Sequence, residues 1–330
     1  MQVKFLIVRF SSIGDIVLTT PIIRCLKQQI EDAKVHFFTK PQYVDILKFN
    51  PYIDKILILK NFKESIAEIK MENYDYIIDL HNNLRSFRFK NKLKILDFSF
   101  PKLNWEKWLM VNFKINKLPN VHVVDRYFET VKLFDVNNDN QGLDFFINPE
   151  NEISLESIKT NFKEDFVVFA IGGQHYTKRM PAEMLAKICE ALNFPIILLG
   201  DEKDFENGEI IKKNSENIFN LCGKLNLLQS ASIIKRAKLI VTHDTGLMHI
   251  AAAYQRVIFS IWGNTIPEFG MEPYISKKKS FKTQRLGIKC RPCSKIGFKK
   301  CPKKHFNCMR LQNIEDLING IKENYEKKDL

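Results

Sequence analysis

Residues 238–263 read KLIVTHDTGLMHIAAAYQRVIFSIWG. The run KLIVTHD is apolar and β-branched and ends on two polar residues, as a buried strand does when it reaches its loop. TGLMHIAAAY is helix-forming, and RVIFSIWG is a second buried strand. A strand, a helix and a strand in 26 residues form the repeating unit of a parallel sheet covered by helices.

The same alternation extends outward. Upstream lie a strand DFVVFAIGG (165–173), a helix PAEMLAKICEAL (181–192) with Pro181 at its start, a strand FPIILLGDEKD (194–204), and two helical stretches, 205–216 and 226–237. The first half repeats it: strand 3–10, helix 15–30 with Pro21 starting or kinking its regular part, strand 34–40, short helix 43–50, strand 53–59, then helix and strand over 66–83. Residues 84–120 break the alternation; they carry nine Lys or Arg against two acids, with Trp105 and Trp108 among them. Residues 122–136 return to helix. The polar stretch 148–163 marks a boundary, giving domains 1–155 and 156–330, and the amphipathic 313–328 caps the second domain or crosses back to the first.

Composition narrows the class. The 330 residues are 45% apolar and 27% charged, which suits a chain with a large buried core. No 20-residue apolar run is present, and the first apolar run is interrupted by Lys4 and Arg9, so neither a membrane span nor a secretory leader is expected. Seven cysteines in a chain of this length do not make a secreted disulfide framework, and a cytoplasmic setting is the expectation. The net charge of +13 suits nucleic acid, anionic membrane or phosphorylated substrates, and equally a Lys-rich proteome.

Four stretches carry candidate chemistry. Ser11, Ser12, Gly14 and Asp15 follow the first strand, where sheets of this class present ligands. From spacing alone they read first as helix caps, and the single glycine argues against an ordinary dinucleotide loop. In the second half, Asp244, Thr245, Gly246 and Leu247 open a helix whose backbone N–H groups suit a phosphate, with His249 one turn further on; Asp244 itself would order the loop, and helix capping with a core histidine is the plainer alternative. Thr177, Lys178 and Arg179 precede a helix, a place where a cation does not improve the dipole; a bound anion would account for it, and a solvated surface charge reads as well. The set Cys290, Cys293, Cys301 and Cys308, with His305 inside it, has zinc-like spacing in its first pair; packed or redox-paired thiols read equally. Residues 276–310 hold thirteen Lys or Arg and no acid, yet no recognised nucleic-acid motif accompanies them.

The segments RFSSIGDIVLTTPIIRCL (9–26), TKRMP (177–181), VTHDTGLMHIAAA (241–253) and IFSIWGNTIP (258–267) resemble the ADP-heptose:lipopolysaccharide heptosyltransferase family, glycosyltransferase family 9, and the cysteine tail resembles its heptosyltransferase II-type members. The resemblance implies a GT-B fold of two Rossmann-like domains facing each other across a cleft. It implies inverting transfer of heptose from ADP-L-glycero-β-D-manno-heptose to the lipopolysaccharide inner core, with no metal needed for catalysis. Asp15 then matches the general base, Lys178 the holder of the donor phosphates with Thr177 beside it, and Asp244, Thr245, Gly246, Leu247 and His249 the diphosphate loop. Glu202 matches, loosely, the acid that contacts the ribose. Met180 stands where the family often has tryptophan. The basic 84–120 stretch becomes a candidate peripheral contact with anionic membrane, and no nucleic-acid partner is expected. The alternatives are a related GT-B enzyme using another nucleotide sugar, and a non-catalytic polyanion- or nucleic-acid-binding protein.

Overall fold

The computed structural model describes residues 2–158, 165–213 and 215–327, and in it the chain divides into two α/β units. The first comprises residues up to Leu103 with Val121–Phe146; the second comprises Asn104–Asn120 and residues from Ile147 onward. Part of the polar stretch expected at the boundary, 159–163, lies outside the described residues.

The first unit is a parallel sheet of five strands, β1 (Val3–Val8), β2 (Ala33–Thr39), β3 (Lys55–Ile58), β4 (Tyr76–Asp79) and β5 (Leu96–Ser99), in the order β3-β2-β1-β4-β5. The helices up to residue 128 are α1 (Ile13–Val17), α2 (Thr20–Gln29), α3 (Phe62–Met71), α4 (Leu84–Leu93), α5 (Asn104–Phe113) and α6 (Val123–Phe128). Central β1 is buried on both faces from Phe5 to Val8, as strands covered on both sides must be. Pro21 sits in the first turn of α2, where its missing N–H costs nothing. Buried Arg24 on α2 binds the carboxylates of Asp139 (2.7 Å) and Asp144 and the Gly142 carbonyl (2.9 Å), which ties the returning segment to this unit. The stretch 84–120 does not interrupt the alternation as expected: it supplies α4 and β5 before α5. β5 is an edge strand with mostly exposed residues, so it shows no apolar run to read.

The second unit holds six parallel strands, β6 (Val167–Ala170), β7 (Ile196–Leu199), β8 (Ile218–Asn220), β9 (Leu239–His243), β10 (Val257–Trp262) and β11 (Ser280–Gln284), in the order β11-β10-β9-β6-β7-β8. Around them run α7 (Ala182–Glu190), α8 (Phe205–Lys212), α9 (Leu227–Arg236), α10 (Gly246–Ala253), α11 (Asn307–Arg310) and α12 (Ile314–Glu326). The edge strands β8 and β11 were not legible: one is three residues long and the other only half-buried. The terminal helix does not leave its unit. Leu317 and Ile321 of α12 enter the core with residues of α7 and β10, and Tyr325 stacks on Phe194 at 3.9 Å. α5 joins this unit because Lys114 donates to the Pro292 carbonyl at 2.7 Å. No helix among the described residues is long and apolar enough to cross a membrane.

Candidate functional site

Each parallel sheet collects its loops at the carboxyl ends of its strands, and the candidate residues lie on those loops. In the first unit, β1 ends at Val8, and Ser12 is the N-cap of α1. Asp15 closes back on that cap: its Oδ2 accepts from the Ser12 N–H at 3.0 Å and the Ser12 hydroxyl at 2.7 Å. Its Oδ1 lies 2.7 Å from Arg9 Nη2. The capping role read from spacing is therefore real, and the Asp15 side chain remains 23% exposed, reachable from solvent.

Arg9 is the residue that sequence reasoning passed over. It is buried, and it also donates to the carbonyls of Ser11 (2.8 Å) and Leu80 and to the Tyr127 hydroxyl (3.1 Å). Burial works to lower its pKa, but the Asp15 and Tyr127 oxygens carry it above its ordinary value. The signal was present: a cation just past the end of a buried strand needs an acid partner, and Asp15 is the nearest in sequence. His81, after β4, packs against Phe10 with ring centroids 5.1 Å apart. Burial, then the charge of Arg9, pushes its pKa down to about 3, so the ring is neutral at physiological pH.

In the second unit the loops after β6 and β9 meet. Lys178 Nζ lies 2.6 Å from Asp244 Oδ2, which also accepts from the Thr265 hydroxyl at 2.9 Å. Asp244 thus orders its loop and holds the lysine. Thr245 is the N-cap of α10 and Gly246 its first residue; both, with Leu247, are partly exposed, whereas His249 is buried. Gly173 packs beside both loops: a Cβ there would sit 3.3 Å from Arg179 Cγ and 3.4 Å from Thr245 Cγ2. His243 is fully enclosed, and its Nε2 accepts from the Met180 N–H at 2.9 Å; burial lowers its pKa to about 4. This loop therefore presents a cation, a hydroxyl and helix-start N–H groups on one side of a sheet, a combination suited to a diphosphate.

Other expected residues take different places. Thr177 is 1% exposed, and its hydroxyl both donates to the Phe298 carbonyl (3.3 Å) and accepts from the Phe298 N–H (2.8 Å). It anchors the cysteine loop rather than facing solvent. Glu202 is exposed at the carboxyl end of β7, and its Cα would lie 2.8 Å from a Cβ on Gly223. Arg179 pairs with buried Asp204 at 2.9 Å.

The cysteine loop is held by Arg291, which donates to the carbonyls of Gly263 (2.6 Å) and Thr265 (2.9 Å) at the end of β10. None of its four cysteines is joined in a disulfide, and Cys290 Sγ lies 3.7 Å from His305 Nε2. Burial, then the neighbouring Cys290, pushes the Cys293 thiol up to about 12; burial pushes Cys308 up to about 11. Among the described residues no group of three or more His, Cys, Asp or Glu is arranged to hold a metal ion.

Residues 64–302 match "Glycosyltransferase family 9 (heptosyltransferase)". The chain is 27% identical to lipopolysaccharide heptosyltransferase 1 of Campylobacter coli, over 79% of this chain and 84% of that protein. It is 25% identical to lipooligosaccharide heptosyltransferase 2 of Campylobacter jejuni, over 94% of each. Among solved structures, a family 9 glycosyltransferase from Veillonella parvula shares the fold with a TM-score of 0.78 at 20% identity, over 98% of both chains.

Proposed function

The chain belongs to glycosyltransferase family 9 (heptosyltransferase) and has a GT-B-like two-domain α/β fold with parallel sheets; from that premise we propose that it is an inverting heptosyltransferase. In this reading it moves heptose from ADP-L-glycero-β-D-manno-heptose to a lipopolysaccharide inner-core acceptor. The observation that carries the proposal is the set of groups on the β6 and β9 loops: Lys178 paired with Asp244, beside Thr245 at the start of α10, an arrangement that suits a nucleotide diphosphate.

The reaction is one displacement. The acceptor hydroxyl oxygen attacks the anomeric carbon while the bond from that carbon to the β-phosphate oxygen breaks. The hydroxyl proton passes to Asp15, and ADP departs with the bonding pair. Charge develops on the leaving phosphate, and Lys178 with the N–H groups at Thr245–Gly246 stabilises it, so the reading needs no resident cofactor. Glu202 is assigned to the ribose and Ser11, Ser12 and Gly14 to the acceptor side. The enzyme is proposed to work at the cytoplasmic face of the inner membrane. Zinc at Cys290, Cys293, Cys301 and Cys308 is a separate proposal that rests on spacing; one equivalent by elemental analysis of the purified protein supports it, and none removes it.

The test offers the purified protein ADP-heptose and other nucleotide sugars with defined inner-core acceptors, and reads the product linkage by NMR. Transfer from ADP-heptose with inversion is expected; transfer only from another nucleotide sugar points to the alternative GT-B reading, and no transfer with salt-sensitive oligonucleotide binding points to a binding protein. Asp15→Asn is expected to lose about 100-fold or more in turnover with ADP affinity retained; near-normal turnover removes the base assignment.

A further inference from the structure

Lys178 stands on a segment that cannot hold itself in place. Tyr176–Lys178 form a single turn of 3₁₀ helix, with no side-chain cap at its start. A turn this short has too few internal hydrogen bonds to fix its own conformation. What packs against it therefore sets its position, and the main contact is Phe298 in the cysteine loop, 121 residues further along the chain.

Thr177 is the joint between the two. Its N–H donates to the Phe298 carbonyl at 3.2 Å. Its hydroxyl donates to the same carbonyl at 3.3 Å and accepts from the Phe298 N–H at 2.8 Å. Its own carbonyl accepts from the Asn264 N–H at 3.4 Å, just past the end of β10. Gly263 permits that last approach, since a Cβ there would fall 2.7 Å from the Thr177 carbonyl oxygen. Every polar group of Thr177 is thus engaged by the cysteine loop or by the end of β10.

The loop is shaped to meet this segment. The Ser294 hydroxyl accepts from the N–H groups of Ile296 and Gly297, both at 3.0 Å, which closes a tight turn. Gly297 has a φ of +133°, and a Cβ on it would lie 2.6 Å from His175 Cβ, so a side chain there would push the turn off the segment. Tyr176 stacks on buried Phe306 with ring centroids 5.1 Å apart. At the far end of the segment, Lys178 Nζ reaches Asp244 Oδ2 at 2.6 Å.

We propose that Thr177 is a positioning residue for Lys178: through its bonds to Phe298, the 294–298 turn fixes where the lysine amine stands beside Asp244. The consequence for the donor, that this turn sets affinity for a diphosphate, rests on the heptosyltransferase reading; the placement of Lys178 does not.

Two measurements on the full chain test it. Trace acetylation with acetic anhydride, read peptide by peptide by mass spectrometry, reports how freely each lysine amine reacts. Thr177→Val removes the hydroxyl and nearly keeps the shape; it should speed labelling of Lys178 about threefold or more, with the other lysines unchanged. Gly297→Ala disturbs the same contact from the loop side and should act in the same direction. Thr177→Ser keeps the hydroxyl and should label as the wild type does. Calorimetry then compares ADP with adenosine, which lacks the diphosphate. Thr177→Val should weaken ADP about 10-fold and adenosine less than about 2-fold, and should add nothing further in a Lys178→Gln background. Unchanged labelling of Lys178 in Thr177→Val or Gly297→Ala, or failure of Thr177→Ser to keep the wild-type rate, overturns the proposal. ADP affinity unaffected by Lys178→Gln removes the diphosphate reading instead, and leaves the labelling result to decide the placement of Lys178.

Discussion

Asp15 has both carboxylate oxygens engaged, one by Ser12 and one by Arg9. This geometry makes it a well-positioned group and sharpens the question of its basicity, since a helix start and an adjacent guanidinium both favour the charged form. In the proposed reaction an acceptor hydroxyl must displace or share one of those contacts to hand over its proton. Arg9 is then the residue that sets the direction in which Asp15 points. Arg9→Met is expected to destabilise the chain by about 3 kcal/mol, because the variant removes one partner of a mostly buried pair along with bonds to Ser11, Leu80 and Tyr127. It is also expected to lower turnover while leaving ADP affinity intact, because ADP is assigned to the second unit. Urea midpoints and ADP titration check both; unchanged turnover in a folded variant would show that the pair is only structural.

At the scale of elements, the second unit depends on loops that approach one another closely at the strand ends. A Cβ on Gly172 would fall 2.4 Å from Asp204 Oδ2, and Asp204 cannot retreat easily, since it is buried and held by Arg179 and the Asp201 N–H. Gly172→Ala is therefore expected to cost about 1–3 kcal/mol and to weaken ADP binding; a melting curve superimposable on wild type contradicts this. α5 is the opposite case. None of its residues is buried; Trp105 and Trp108 stack at 5.0 Å, 64% and 45% exposed, with Glu106 and Lys107 between them. Exposed tryptophans in a stretch with nine Lys or Arg against two acids, residues 84–120, suit the interface of an anionic bilayer. In the proposed peripheral role, Trp105→Ala/Trp108→Ala should cut cosedimentation with anionic vesicles severalfold while changing stability by less than about 0.5 kcal/mol per site. Retained vesicle binding argues against α5 as the contact.

Across the whole molecule, burial lowers the pKa of buried His36 and holds a histidine in each unit well below its ordinary value, His81 near 3 and His243 near 4. Both lie below the unfolded value of about 6.5. Between the folded and unfolded values the unfolded chain binds a proton that the folded chain refuses, so stability rises with pH there and is lost as pH falls below about 6.5. At pH 5.5 each histidine is expected to cost about 1.4 kcal/mol relative to neutral pH. Ring-proton NMR should show neither titrating between pH 8 and 5, and a midpoint above 6 for either would contradict the burial argument. The strand–helix alternation, the two-unit division and the loops bearing Asp15 and Lys178–Asp244 were legible in the sequence, because periodicity and punctuation are local properties that survive in one dimension. Edge strands β5, β8 and β11 were not, since an edge needs only one covered neighbour and carries no continuous apolar run. Nor were the Arg9–Asp15–Tyr127 contacts, the turn of Thr177 toward Phe298, or the convergence of Lys40, Lys60, Arg85 and Arg88 on one cavity. The sequence by itself determined which residue types stand at the strand ends. Tertiary structure alone decided which of them meet, because charges distant along the chain become partners only when parallel strands bring their carboxyl ends side by side.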